Sequence, residues 1–143
     1  MRLDTEIIEG RLDIIERNLS FLEEYKTLSP DEFTESYRDT QAAKYSLLEI
    51  MESCMDIANY IISVMGFRRA EGYSDIFKVL GEEDVLDEEL SIRLENMARF
   101  RNLLVHRYGE LDDRRVLEII KENLTDIKEF EKQIQKFVKH IEA

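Results

Sequence analysis

Residues 29–66 read SPDEFTESYRDTQAAKYSLLEIMESCMDIANYIISVMG, and their spacing decides the fold. Ser29 stands where an N-cap belongs, Pro30 takes the first helical position and Glu32 the third, so a helix starts here. No breaker follows until Gly66. The segment is expected to be the longest helix of the chain, sending Phe33, Tyr37, Tyr45, Leu48, Met51, Met55, Ala58 and Ile62 toward a core. Upstream, Ile8, Leu12, Ile15, Leu19 and Leu22 alternate at spacings of four and three, which predicts an amphipathic helix to about Tyr25. Downstream, residues 67–73 read as a loop, and Ser74 is expected to cap a short helix ending at Gly81. Asp87-Glu88-Glu89 then places acids where a helix dipole favours them, opening a helix that runs to about Tyr108. From Asp113, Ile120, Ile127, Ile134 and Ile141 recur every seven residues with Phe130 and Phe137 between them, a seam for a neighbouring helix. The fold class is all-α: an up-and-down bundle of four long helices plus one short one.

Composition agrees with that reading. The 143 residues are 43% apolar, enough for one core, so residues 1–143 are expected to form a single domain. Proline occurs once and glycine five times, which disfavours a turn-rich β fold. The single Cys54 has no internal disulfide partner and suits a reducing compartment. No apolar core follows Met1-Arg2-Leu3-Asp4, and nowhere do 18 apolar residues run together; a cytoplasmic protein with no membrane attachment is expected. The net charge of −12 counts against a general nucleic-acid binder, because phosphate attraction supplies most non-specific affinity. Yet residues 96–109 contain no acid and do contain Arg99, Arg101, His106 and Arg107. One basic patch sits on an acidic chain.

Arg101 is out of place on its own helix. With about 100° per residue, Leu90, Leu94, Met97, Leu104, Val105 and Tyr108 lie within roughly 60° of it, so a guanidinium occupies the middle of the apolar stripe. A buried arginine needs a partner. Either an acid of the second helix, Glu49, Glu52 or Asp56, pairs with it, or it faces a lined cleft. His106 lies roughly 140° away from Arg101, so the two cannot meet on one straight helix. Cooperation would need the helix end to unwind or a second copy to supply the partner. His106 and His140 are the only histidines, and no His-x3-His, Cys-x2-Cys or Glu-x2-His pattern offers a metal site. No glycine-rich loop suggests a nucleotide cofactor either.

Arg101-x4-His106-x-Tyr108 resembles the R-x4-H-x-Y signature of HEPN-domain ribonucleases of the HepT type. The likeness extends to Asp56-Ile57-Ala58-Asn59, to Phe67-Arg68-Arg69 with Tyr73, to Val85-Leu86-Asp87-Glu88-Glu89-Leu90 and to the whole of Met97–His106, covering residues 1 to 140. It implies a HEPN-like homodimer in which two motifs face each other across a metal-independent RNA-cleaving cleft, with no cofactor. It further implies the toxin of a type VII toxin–antitoxin system of the HepT/MntA kind, silenced when a minimal nucleotidyltransferase (MNT) antitoxin transfers AMP to Tyr108. On that basis His106 would be the general acid or base, Arg101 would hold the phosphate, Asn102 would orient the imidazole, and Arg99 and Arg107 would contact RNA, either tRNA or mRNA. The alternative is a non-catalytic helical partner of a separately encoded nucleotidyltransferase.

Overall fold

A computed structural model describes residues 3–106 and 108–142, except for the side chain of Tyr108. Among these residues the chain forms seven α-helices and one 3-10 turn: α1 (Thr5–Glu23), α2 (Pro30–Glu35), α3 (Tyr37–Met65), α4 (Tyr73–Glu82), α5 (Glu88–His106), the turn Tyr108–Glu110, α6 (Asp113–Glu122) and α7 (Leu124–Glu142). α1 lies along α3, α4 along α5, and α7 closes the bundle against α1, α5 and α6. The four long elements are thus α1, α3, α5 and the α6–α7 pair, with α4 as the short one.

The second predicted helix is broken at Ser36. Ser29 and Glu32 do form the reciprocal cap, with Ser29 Oγ accepting from the Glu32 amide at 3.2 Å and Glu32 Oε1 accepting from the Ser29 amide at 2.9 Å. After one and a half turns, however, Ser36 takes an extended conformation and its hydroxyl caps α3 by accepting from the Asp39 amide at 3.1 Å. Farther along α3 the expected stripe holds, with Met51, Met55, Ala58 and Ile62 buried. The buried stripe of α3 runs through Thr40, Ala43, Leu47, Ile50, Cys54, Ile57 and Ile61, whereas Tyr37 and Tyr45, expected in the core, are 79% and 64% exposed. Phe33 is fully buried and anchors α2 by an edge-to-face contact with Tyr25, centroids 5.6 Å apart.

Two other boundaries differ. α4 starts one residue before Ser74, with Gly72 at the capping position and no side-chain cap. It also runs through Gly81 instead of ending there. That glycine is required by close approach: a Cβ on it would stand 2.5 Å from Ser91 Oγ and 2.8 Å from Ser91 Cβ, so α4 and α5 touch backbone to side chain. Ser91 Oγ in turn donates to the Phe77 carbonyl at 2.9 Å. Gly66 does end α3, in the left-handed region at φ 69°, where glycine carries no Cβ penalty.

The start of α5 is fixed twice. Asp87 Oδ1 accepts from the Leu90 amide at 2.7 Å, and Asp87 exchanges two hydrogen bonds with Gln133 of α7 at 2.8 and 2.7 Å. These bonds hold the Asp87 carboxyl below its ordinary range, the Leu90 amide contributing most. Farther along, Arg93 Nε donates to the buried Asp126 at 2.8 Å. The isoleucine seam packs as its spacing implied: Ile120, Ile127 and Ile134 are fully buried, Ile141 partly so, although Asn123 interrupts the helix between the first two. No helix is long and apolar enough to cross a membrane among the described residues.

Candidate active site

α5 carries Arg101 inward to α3 and His106 outward to solvent, as their angular separation requires. Arg101 is 9% exposed. Its Nε donates to Glu52 Oε1 at 2.6 Å, and Nη1 makes a long contact of 3.4 Å with Asn102 Oδ1. The guanidinium carbon lies 4.3 Å from the centroid of the Tyr73 ring, a cation–π distance. Among the described residues, Nη2 donates to nothing. The acid that sequence periodicity left open among three is therefore Glu52, and the charge is compensated within one chain. A second copy is not needed to explain why an arginine stands on the apolar side of α5.

His106 is the last residue of α5 and is exposed. It lines an open depression of about 510 Å³ together with Tyr73, Arg99, Asn102 and Leu103. Arg99 reaches into it with Nη1 bonded to Asn96 Oδ1 at 2.5 Å. Asn102 shares the depression with His106, but it bonds to Arg101; no hydrogen bond from Asn102 to the imidazole exists among the described residues. Arg107 and the Tyr108 side chain, both expected at the site, lie outside the described residues. The backbone of Tyr108 opens the 3-10 turn directly beyond α5.

Two contributors are named in the sequence without their contacts to Arg101 being fixed there. Glu52 is 49 positions from Arg101, and only the packing of α3 on α5 selects it over its neighbours. Tyr73, which the sequence marks only through the family resemblance and places in a loop, sits at the first position of α4, touches Arg101 and lines the depression with His106. Its position is set by Arg68, which grips Asp75 with both terminal nitrogens at 2.8 and 2.9 Å and Glu82 with Nε at 2.7 Å. Asp75 also accepts from the Glu71 amide at 2.8 Å. Arg68 first, then that amide, holds the Asp75 carboxyl down at about 2, so the loop 67–72 stays clamped to α4 across the physiological range.

Elsewhere the buried ionisable groups serve the bundle. Burial pushes the Cys54 thiol up, with Glu131 adding to the effect, which leaves it a poor nucleophile. Among the described residues, no three His, Cys, Asp or Glu side chains gather where they would hold a metal ion.

The chain is similar to known proteins over most of its length. The family model described as "Ribonuclease HepT-like" matches residues 15–134. The tRNA nuclease HepT of Aphanizomenon flos-aquae is 26% identical over 136 residues, covering 95% of this chain and 92% of that one. The mRNA nuclease HepT of Shewanella oneidensis is 27% identical over 99 residues, 69% of this chain and 74% of that one. Among solved structures, the tri-AMPylated Shewanella oneidensis HEPN toxin in complex with its MNT antitoxin superposes with a TM-score of 0.83 at 25% identity, over 91% of this chain and 97% of that one.

Proposed function

The chain belongs to the ribonuclease HepT-like family, and we propose that it is the toxin of a toxin–antitoxin pair, an endoribonuclease that cuts by metal-independent transesterification at the end of α5. The observation that carries this reading is the state of Arg101. It is buried, oriented by Glu52 on one edge and Tyr73 on its face, its Nη2 donates to nothing among the described residues, and two residues it touches, Tyr73 and Asn102, line the depression that contains an exposed imidazole.

RNA brings its own nucleophile, so the protein needs only proton transfer and charge stabilisation. His106 takes the proton from a 2′-hydroxyl as that oxygen attacks the adjacent phosphorus. The bond from phosphorus to the 5′-oxygen breaks, and a proton returns to that oxygen. The products are a 2′,3′-cyclic phosphate and a 5′-hydroxyl. Arg101 stabilises the charge on the non-bridging oxygens through its free edge, a use that suits a planar fork already held on its other side. Asn102, which shares the depression with His106, would orient the imidazole, and Arg99 and Arg107 would contact the RNA backbone.

A homodimer is part of the proposal. Tyr37, Gln41, Tyr45, Leu48 and Glu52 fall within roughly 80° of one another on α3; the first three are exposed and the last two half-buried, a stripe that ends at the Arg101 partner and suits a second copy. The partner antitoxin would be a minimal nucleotidyltransferase. AMP on Tyr108 would set a phosphate beside Arg101 and compete with RNA for it. By the names of its relatives, the substrate is tRNA or mRNA, met in the cytoplasm.

A second reading, a non-catalytic partner of the nucleotidyltransferase, draws support from the Glu52 ion pair and the net charge of −12. Incubation of tRNA with wild-type protein and with His106→Ala in EDTA separates the two. Cleavage by the wild type alone supports the ribonuclease; equal inactivity of both supports the binding module.

A further inference from the structure

We propose that Tyr73 is the seat for one unpaired RNA base, stacked on the ring face that Arg101 leaves open, and that this seat confines cleavage to single-stranded positions. The proposal rests on the ribonuclease reading above and adds to it the part of the substrate that is recognised.

The ring has two distinct sides. The Arg101 guanidinium lies 4.3 Å from its centroid, yet Arg101 does not line the depression, whereas Tyr73 does, with Arg99, Asn102, Leu103 and His106. Tyr73 is 45% exposed and Leu103 36%, so an aromatic ring and an apolar side chain are presented to solvent side by side within a basic patch. Such a pairing of π surface with cations suits a phosphate-linked base, which stacks and carries negative charge. At about 510 Å³ the depression is in the range that accepts small organic ligands. The Asn102 amide supplies both a donor and an acceptor at its edge.

Arg68 ties Asp75 in the first turn of α4 to Glu82 at its end, which fixes the backbone that carries Tyr73, and Arg101 packs on the ring itself. A base stacked there brings its ribose into the depression that His106 lines. A paired base inside an A-form helix keeps its faces covered by its neighbours and cannot take the seat.

The test uses 2′-O-methyl uridine oligomers with a single 2-aminopurine, uncleavable because the 2′-oxygen carries no proton and reporting stacking by loss of fluorescence. Wild type and Tyr73→Phe should quench the probe with similar affinity. Tyr73→Leu, which keeps bulk and loses the π face, should bind about 10-fold more weakly, within the range found when base–aromatic stacks are removed. With tRNA the same variant should raise KM by a comparable factor, more than it lowers kcat. Quenching by Tyr73→Leu equal to wild type would overturn the proposal, as would a fall in kcat at unchanged KM, which would reduce Tyr73 to a prop for Arg101. The two readings fail separately. Tyr73-dependent quenching with no tRNA cleavage would sink the ribonuclease and keep the base seat; cleavage of tRNA at a KM indifferent to Tyr73 would do the reverse.

Discussion

Arg101 shows how one side chain can be both a structural and a chemical group. Its Nε is 2.6 Å from Glu52, with the arginine side chain 11% exposed and the glutamate 41%. Because the carboxylate is partly solvated, the pair is worth less than a fully buried one, but removing it strands a buried cation. Glu52→Gln keeps an acceptor for Nε and should cost about 1 kcal/mol, while Glu52→Ala should cost about 1–3 kcal/mol in urea unfolding. Both should lower kcat more than they raise KM, since orientation of the guanidinium matters most when charge develops on the phosphate. A change confined to KM would show that Glu52 restrains ground-state binding instead. The arginine's anomalous place among apolar residues was legible from the sequence, because a 3.6-residue period exposes such a misfit. Its partners were less so: three acids of α3 recur within a turn or two, and Tyr73 belongs to another helix.

Individual helices reveal where periodicity suffices and where it does not. α1 buries Ile8, Leu12, Ile15, Leu19 and Leu22 as their spacing implies, because nothing interrupts it. α3 follows the stripe expected of it at Met51, Met55, Ala58 and Ile62 but leaves Tyr37 and Tyr45 exposed, and Ser36 splits its start off as a separate helix; a serine within a polar run gives no sign that it will end one helix and begin another. The α1–α7 contact contains a second feature that pattern cannot reveal. Glu131 is 8% exposed, and burial first, then the facing Glu16 carboxyl, pushes it up to about 8 against the opposing pull of Lys128, with the Cys54 thiol of α3 also near. The folded value lies above the ordinary 4.5, so the stability tied to this proton is full below that pH and is lost as pH rises through about 8. Thermal or urea unfolding should therefore show a more stable protein at pH 6 than at pH 9. Glu131→Gln should remove most of that slope and stabilise the protein at the higher pH; an unchanged slope would place the titration elsewhere.

For the whole molecule, the question is how an inward arginine and an outward histidine serve one phosphate. If two copies meet along the α3 stripe and each site takes Arg101 from one chain and His106 from the other, two inactive variants should rescue each other. Mixing Arg101→Ala with His106→Ala after unfolding and refolding should restore about a quarter of wild-type activity, because half of the dimers are mixed and each has one intact site of two. No rescue would place both groups in the same chain. Whether this end of α5 cuts RNA with its own side chains is read from the chemistry of the cut ends. After digestion of tRNA in EDTA, wild-type protein is predicted to leave 5′-hydroxyl ends that a polynucleotide kinase labels without prior phosphatase and 3′ ends closed as cyclic phosphates, with neither formed by His106→Ala. Fragments bearing 5′-phosphates, or identical fragments from the His106→Ala variant, would contradict it.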